Sequence, residues 1–155
     1  MKLLDVNVWL AAAWARHRHH RLAKTWLDHQ EDELALCRVT QMALLRLMTN
    51  PAVTGADALS RRAAWERVEQ LMADSRVCFL TEPEGLVPLW VAFSKRDDHN
   101  HLLWTDDYLA AFAQAADAEL ITIDEPSEVP IPQFASSCSR NEFIEACHLC
   151  VALIS

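Results

Sequence analysis

A chain of 155 residues, 52% hydrophobic and 23% charged, has the size and balance of one globular domain with its own core. Its formal net charge of −8 excludes a general nucleic-acid coat and confines any phosphate contact to a local cationic patch. No window nears the roughly 18 continuous apolar residues of a membrane span, and Asp5 interrupts the place where a secretory signal's apolar segment would begin. A cytoplasmic protein is expected.

Five cysteines, an odd number, fit reduced thiols better than a disulfide framework, and Cys37 and Cys78 fall in apolar runs as core residues. Gly55 and Gly85 are the only glycines, so neither a dinucleotide-binding GxGxxG nor a phosphate-binding P-loop can be written.

In chain order the first element is a strand, KLLDV, at 2–6. HRLAKTWLDH then places Leu22, Ala23, Trp26 and Leu27 on one helical face. A second strand, LALCRVT, covers 34–40 and leads into a helical TQMALLRLM. The 57–74 segment aligns Ala64, Val68, Leu71 and Met72 as a helix face, and RVCFL at 76–80 is the third strand. LVPLWVAF follows as an apolar segment suited to the core or to a partner surface. DDYLAAFAQAA lines up Leu109, Phe112, Ala113 and Ala116 as a helix, before a fourth strand, ELITI, at 119–123. Strands apolar on both faces and separated by helices imply an α/β fold of three layers around a central parallel sheet.

Open sheets of this kind gather functional groups at the carboxyl ends of their strands. Asp5 ends the first strand and, by the period of two, shares a face with Asn7 if that strand continues. Asp124 ends the fourth run, ELITID. Asp106 and Asp107 open the preceding helix, with Thr105 as its N-cap; Asp107 points about 100° away from Asp106 and is read as solvated. Each acid also has a structural explanation: Asp5 as a helix cap, Asp106 as a complement to its helix dipole, Asp124 as a turn before Pro126. Together, three carboxylates at one sheet edge repel unless a divalent cation neutralises them. Mg2+ is the hard ion that takes a few carboxylates and bridges to phosphate oxygens. The chemistry implied is metal-dependent hydrolysis of a nucleic acid.

LLDVNVWLAAAW, CRVTQMALLRLMTNPAV at 37–53, TDDYLAAFA at 105–113 and ADAELITID at 116–124 resemble, in order and spacing, the PIN-domain ribonucleases and within them the VapC toxins of toxin–antitoxin modules. The resemblance implies a PIN-like nuclease domain over 1–125 and an atypical tail over 126–155 packed on it. It also implies a Mg2+-dependent endoribonuclease, with Mn2+ as a substitute, that dimerises and is neutralised by a VapB-like antitoxin. Under it Asp5, Asp106 and Asp124 are the catalytic acids, and Asp5 and Asp106 the metal ligands. Asn7, Thr40, Gln41, Thr105, Arg16 and Arg18 then support the acids or contact substrate. Cleavage would leave a 3′-hydroxyl and a 5′-phosphate. The rival class is a catalytically weak module of the same fold that binds RNA or an antitoxin without cutting.

Two departures from the family bear on this. Gln41 stands where many members carry glutamate, which removes a charge from the metal site. The tail, with Pro126, Pro130 and Pro132 and then Cys138, Cys147 and Cys150, matches nothing in the family pattern. Its CxxC around His148 is too few ligands for a closed zinc site. ARHRHHRLAK at 15–24 is the most basic stretch; Arg16, Arg18, Arg21 and Lys24 suit phosphate contacts, and His17, His19 and His20 suit solvent better than a metal. Arg61, Arg62 and Arg67 read as a wet helix face, and Trp26, Trp65 and Trp90 as core or interface anchors.

Overall fold

The computed structural model describes residues 1–123. Four strands, β1 (Lys2–Leu4), β2 (Leu34–Cys37), β3 (Val77–Leu80) and β4 (Glu119–Ile121), form one sheet in the order β3-β2-β1-β4. Every neighbouring pair is parallel. The connections are helical: α1 (Val6–Ala13) and α2 (His20–Asp28), α3 (Arg38–Met48), α4 (Pro51–Thr54) with a 3-10 turn at Gly55–Asp57, α5 (Arg61–Met72), α6 (Leu86–Ser94) and α7 (Trp104–Ala115).

Alternation along the strands builds two cores. Leu4, Leu34, Leu36 and Ile121 face one side, where Val8, Trp9, Leu27, Leu44, Ala64 and Val68 from α1, α2, α3 and α5 cover them. Leu3, Ala35 and Cys37 face the other, under Leu86 of α6 and Tyr108, Leu109 and Phe112 of α7. The three-layer α/β/α arrangement expected from the double-sided apolar strands is therefore present.

The strands are shorter than the apolar runs. LALCRVT splits at Cys37, and Arg38, Val39 and Thr40 belong to α3. The reason is local: the Thr40 hydroxyl accepts from the Cys37 N–H and donates to the Cys37 carbonyl, both at 3.1 Å, which closes the first helical turn. The first strand likewise ends at Leu4, so Asn7 lies on α1 and not on a strand face shared with Asp5. Of the expected helix faces, Ala23 and Leu27 are buried while Leu22 is exposed. Trp65 is 45% exposed, which leaves it outside the core.

The chain steps from β1 outward to β2 and β3, then returns across the sheet through α6 and α7 to β4 on the far side of β1. The crevice beyond the carboxyl ends of β1 and β4 is thus the topological switch point, where α/β sheets place their ligands. No helix among the described residues is long and apolar enough to cross a membrane.

Candidate active site

Asp5 follows β1 directly and caps α1: its Oδ1 accepts from the Val6 N–H at 2.6 Å, with the backbone still extended at φ −64°, ψ 157°. Its other oxygen, Oδ2, accepts from Asn7 Nδ2 at 3.3 Å and from the Thr122 hydroxyl at 3.2 Å. The Asp5 N–H donates to the Ile121 carbonyl at 2.8 Å. Leu4 stands opposite Ile121 in the β1/β4 register, so the next residue on each strand, Asp5 and Thr122, meet at the switch point. The carboxylate is held by three donors, one on Oδ1 and two on Oδ2, and sits half-buried at the positive end of α1.

Asp106 arrives at the same edge by topology. A short turn after α7 feeds β4, so α7 runs antiparallel to the strands and its first turn lies beyond their carboxyl ends. Tyr108 fixes that placement, donating its hydroxyl to Glu82 Oε1 at 2.8 Å just past the end of β3. Burial and the Glu82 carboxylate raise the Tyr108 phenol far above its ordinary value, so it remains a donor.

Asp107 differs from its expected solvated state. It is 9% exposed and ion-paired with Arg96 from the segment after α6. The 100° step that turns Asp107 away from Asp106 points it into the α6–α7 connection and not into water. Burial pushes its carboxyl up against the pull of the Arg96 guanidinium. Thr105 does not cap α7: the helix begins at Trp104, its N-cap is Leu103, and Thr105 is exposed in the first turn.

Thr40 is 1% exposed and bonded to Cys37 as described. Gln41 is 7% exposed, and its Oε1 accepts from Arg38, whose guanidinium lies 4.6 Å over the Phe79 ring. The amide at this position is thus held by a cation. Arg16 pairs with Asp57 at 3.0 Å with its side chain 74% exposed, and Arg18 is exposed on the same loop. Asp124 and the 126–155 tail lie outside the described residues.

Asp5, Asn7 and Thr122 are brought into contact, and Asp106 is carried to the same edge; Arg16 is drawn to the turn after α4. Thr122 was missed by sequence reasoning, although its place one residue past a strand end, like that of Asp5, was the available signal. Among the described residues no three His, Cys, Asp or Glu side chains converge as a metal cage. Two carboxylates with polar neighbours nonetheless suit Mg2+, which keeps several waters and uses one or two carboxylates beside substrate phosphate.

The PIN-domain family profile matches residues 2–126. Ribonuclease VapC41 of Mycobacterium tuberculosis is 42% identical over 130 residues, covering 80% of this chain and 89% of that protein. Ribonuclease VapC29 of the same organism is 33% identical over 122 residues, covering 79% and 84%. The crystal structure of M. tuberculosis VapC20, a toxin that cleaves the sarcin-ricin loop, superposes with a TM-score of 0.62 at 14% identity, covering 80% of this chain and 90% of that one. The parallel sheet, the acid at the end of β1 and these likenesses agree: the chain belongs to the PIN-domain family, in its VapC ribonuclease branch.

Proposed function

We propose that this chain is the Mg2+-dependent endoribonuclease toxin of a toxin–antitoxin module, acting in the cytoplasm as a homodimer and neutralised by a VapB-like antitoxin. The observation that carries the reading is Asp5, held at the switch point by the Val6 N–H, Asn7 and Thr122. Asp5 and Asp106 would hold the cation, with Asp124 completing the acid set. Mn2+ would serve in its place. Once bound, the cation supplies charge neutralisation for the phosphodiester and a water of lowered pKa.

The chain's own residues do the positioning. Asn7 and Thr122 donate to one oxygen of Asp5 and so orient its carboxylate. The capped start of α1 fixes its backbone, and the sheet serves as a rigid mount. Exposed Val87 and Val91 on α6 support a partner surface for a second copy or an antitoxin.

The reading is tested with purified protein on total RNA in Mg2+, repeated in Mn2+, in EDTA and with Asp5→Ala. Cleavage that needs the metal and Asp5 and leaves 5′-phosphate ends is expected. Undiminished cleavage by the variant would overturn it. RNA binding with no cleavage in either metal would favour the non-cutting module, the class that the amide at Gln41 supports.

A further inference from the structure

The segment between α6 and α7 folds back over the start of α7 and encloses a cleft of about 180 Å³ that none of the described catalytic groups uses. It is below the roughly 300 Å³ at which drug-sized pockets begin, so it suits one flat ring system. Trp104, 57% exposed, forms one wall and is itself braced edge-on by Trp90, with centroids 6.3 Å apart and planes at 79°. His99 and Asn100 line the cleft from the loop. Asn100 Oδ1 accepts from the Leu102 N–H at 3.1 Å, which orients the amide and keeps its NH2 for a ligand. Arg96 lines the cleft already engaged: it pairs with Asp107, and its Nε is buried, 3.6 Å from Asp98 Oδ2, so it is not offered to a ligand.

The charge of the lining selects the ligand. Asp98 and Asp107 border the cleft, and Asp107 already neutralises Arg96. A phosphate there would face two carboxylates, whereas a neutral base offers amino groups to them and carbonyl or ring-nitrogen acceptors to the Asn100 amide. An exposed indole beside such edge-reading groups is the arrangement by which proteins hold unpaired RNA bases. Trp104 is two residues before Asp106 in the first turn of α7, about 200° around the helix, so the cleft opens on the face that carries Asp107 and a base stacked there is separated from Asp106 by roughly the 10 Å width of the helix.

We propose that this cleft holds one unpaired base of the RNA substrate on the flank of the cut, across the first turn of α7 from the acids, with Trp104 as its stacking surface and Asn100 and His99 reading its edge. This rests on the ribonuclease reading above, which it extends to sequence preference.

The test uses full-length chain in two arms. In the first, cut sites and KM on RNA are compared for wild type, Trp104→Ala, Trp104→Phe and Asn100→Ala, with thermal melts to show that each folds. Trp104→Ala should raise KM by about 5-fold or more with a smaller change in kcat, and Trp104→Phe should recover most of it. Asn100→Ala should relax the base preference at one position beside the cut. In the second arm, short oligoribonucleotides are titrated against Asp5→Ala protein with and without Trp104→Ala, where the same loss of affinity is expected without any cleavage. Wild-type cleavage with unchanged KM and cut sites in folded Trp104→Ala overturns the base cleft and spares the ribonuclease reading. Trp104-dependent binding by a protein that never cuts RNA does the reverse.

Discussion

The Thr122 hydroxyl donates to Oδ2 of Asp5 at 3.2 Å, joining the end of β4 to the end of β1 at the switch point of the sheet. The contact spans 117 residues of sequence and exists because the β1/β4 register sets these two positions side by side. Replacing a donor that orients a metal-binding carboxylate typically costs 10 to 100-fold in metal affinity or activity. Thr122→Val is expected to lose about that much Mg2+-dependent cleavage while melting near wild type. Mg2+ titration of the variant checks it, and unchanged affinity and rate would show that the hydroxyl is only structural.

Asp5 caps α1 and, in the proposed function, holds the cation, and two substitutions separate the roles. Asparagine retains the cap acceptor, so Asp5→Asn should melt near wild type yet lose at least about 100-fold in cleavage. Asp5→Ala should lose the same activity and in addition about 1 kcal/mol of stability. Equal melting of the two variants would count against the cap.

Gln41 lies under Arg38, whose guanidinium already holds the amide oxygen. Glutamate at this position would pair with that cation, so much of its charge would be spent before reaching the acids. Gln41→Glu is expected to fold and to tighten Mg2+ binding by less than about tenfold, the equivalent of 1.4 kcal/mol. Calorimetric Mg2+ titration is the measurement, and the appearance of a second tight site would contradict the expectation.

At the amino edge of the sheet, Arg76 donates to Asp74 through Nε and a terminal nitrogen at 3.0 and 2.7 Å and to the Leu27 and Gln30 carbonyls at 2.7 and 2.8 Å. The Arg76 guanidinium and N–H hold the Asp74 carboxyl down at about 2, against an ordinary 3.8. In acid the unfolded chain therefore protonates this group first. The stabilisation is in place above about pH 4 and is lost as pH falls toward 2. With Asp74 38% exposed, the contribution is below about 1 kcal/mol. The melting temperatures of wild type and Asp74→Asn should differ near neutrality and converge in acid. Arg76→Ala, which also strips two carbonyls of their donor, should cost about 1 to 3 kcal/mol.

Much of the fold was legible because periodicity is a local property. Strands apolar on both faces could only be covered from both sides, and that alone implied the three layers. Boundaries were less legible: LALCRVT reads as one apolar run, and only the Thr40 bond to Cys37 ends the strand. Asp107 shows the same limit at the site. The sequence turns it away from Asp106, but whether that direction holds water or Arg96 depends on how the segment after α6 folds back.

By itself, then, the sequence determined the α/β class, the family, and an acid at the end of the first strand, since these follow from pattern and motif along the chain. The tertiary structure decided which groups serve that acid. Thr122 reaches Asp5 only through strand order and register, the Arg38 that holds Gln41 is itself seated over Phe79 of a third strand, and Asp107 is buried by the fold-back of the segment after α6. Hydrogen bonds and ion pairs act over a few ångströms of space, and no spacing along a chain specifies which remote segment will occupy them.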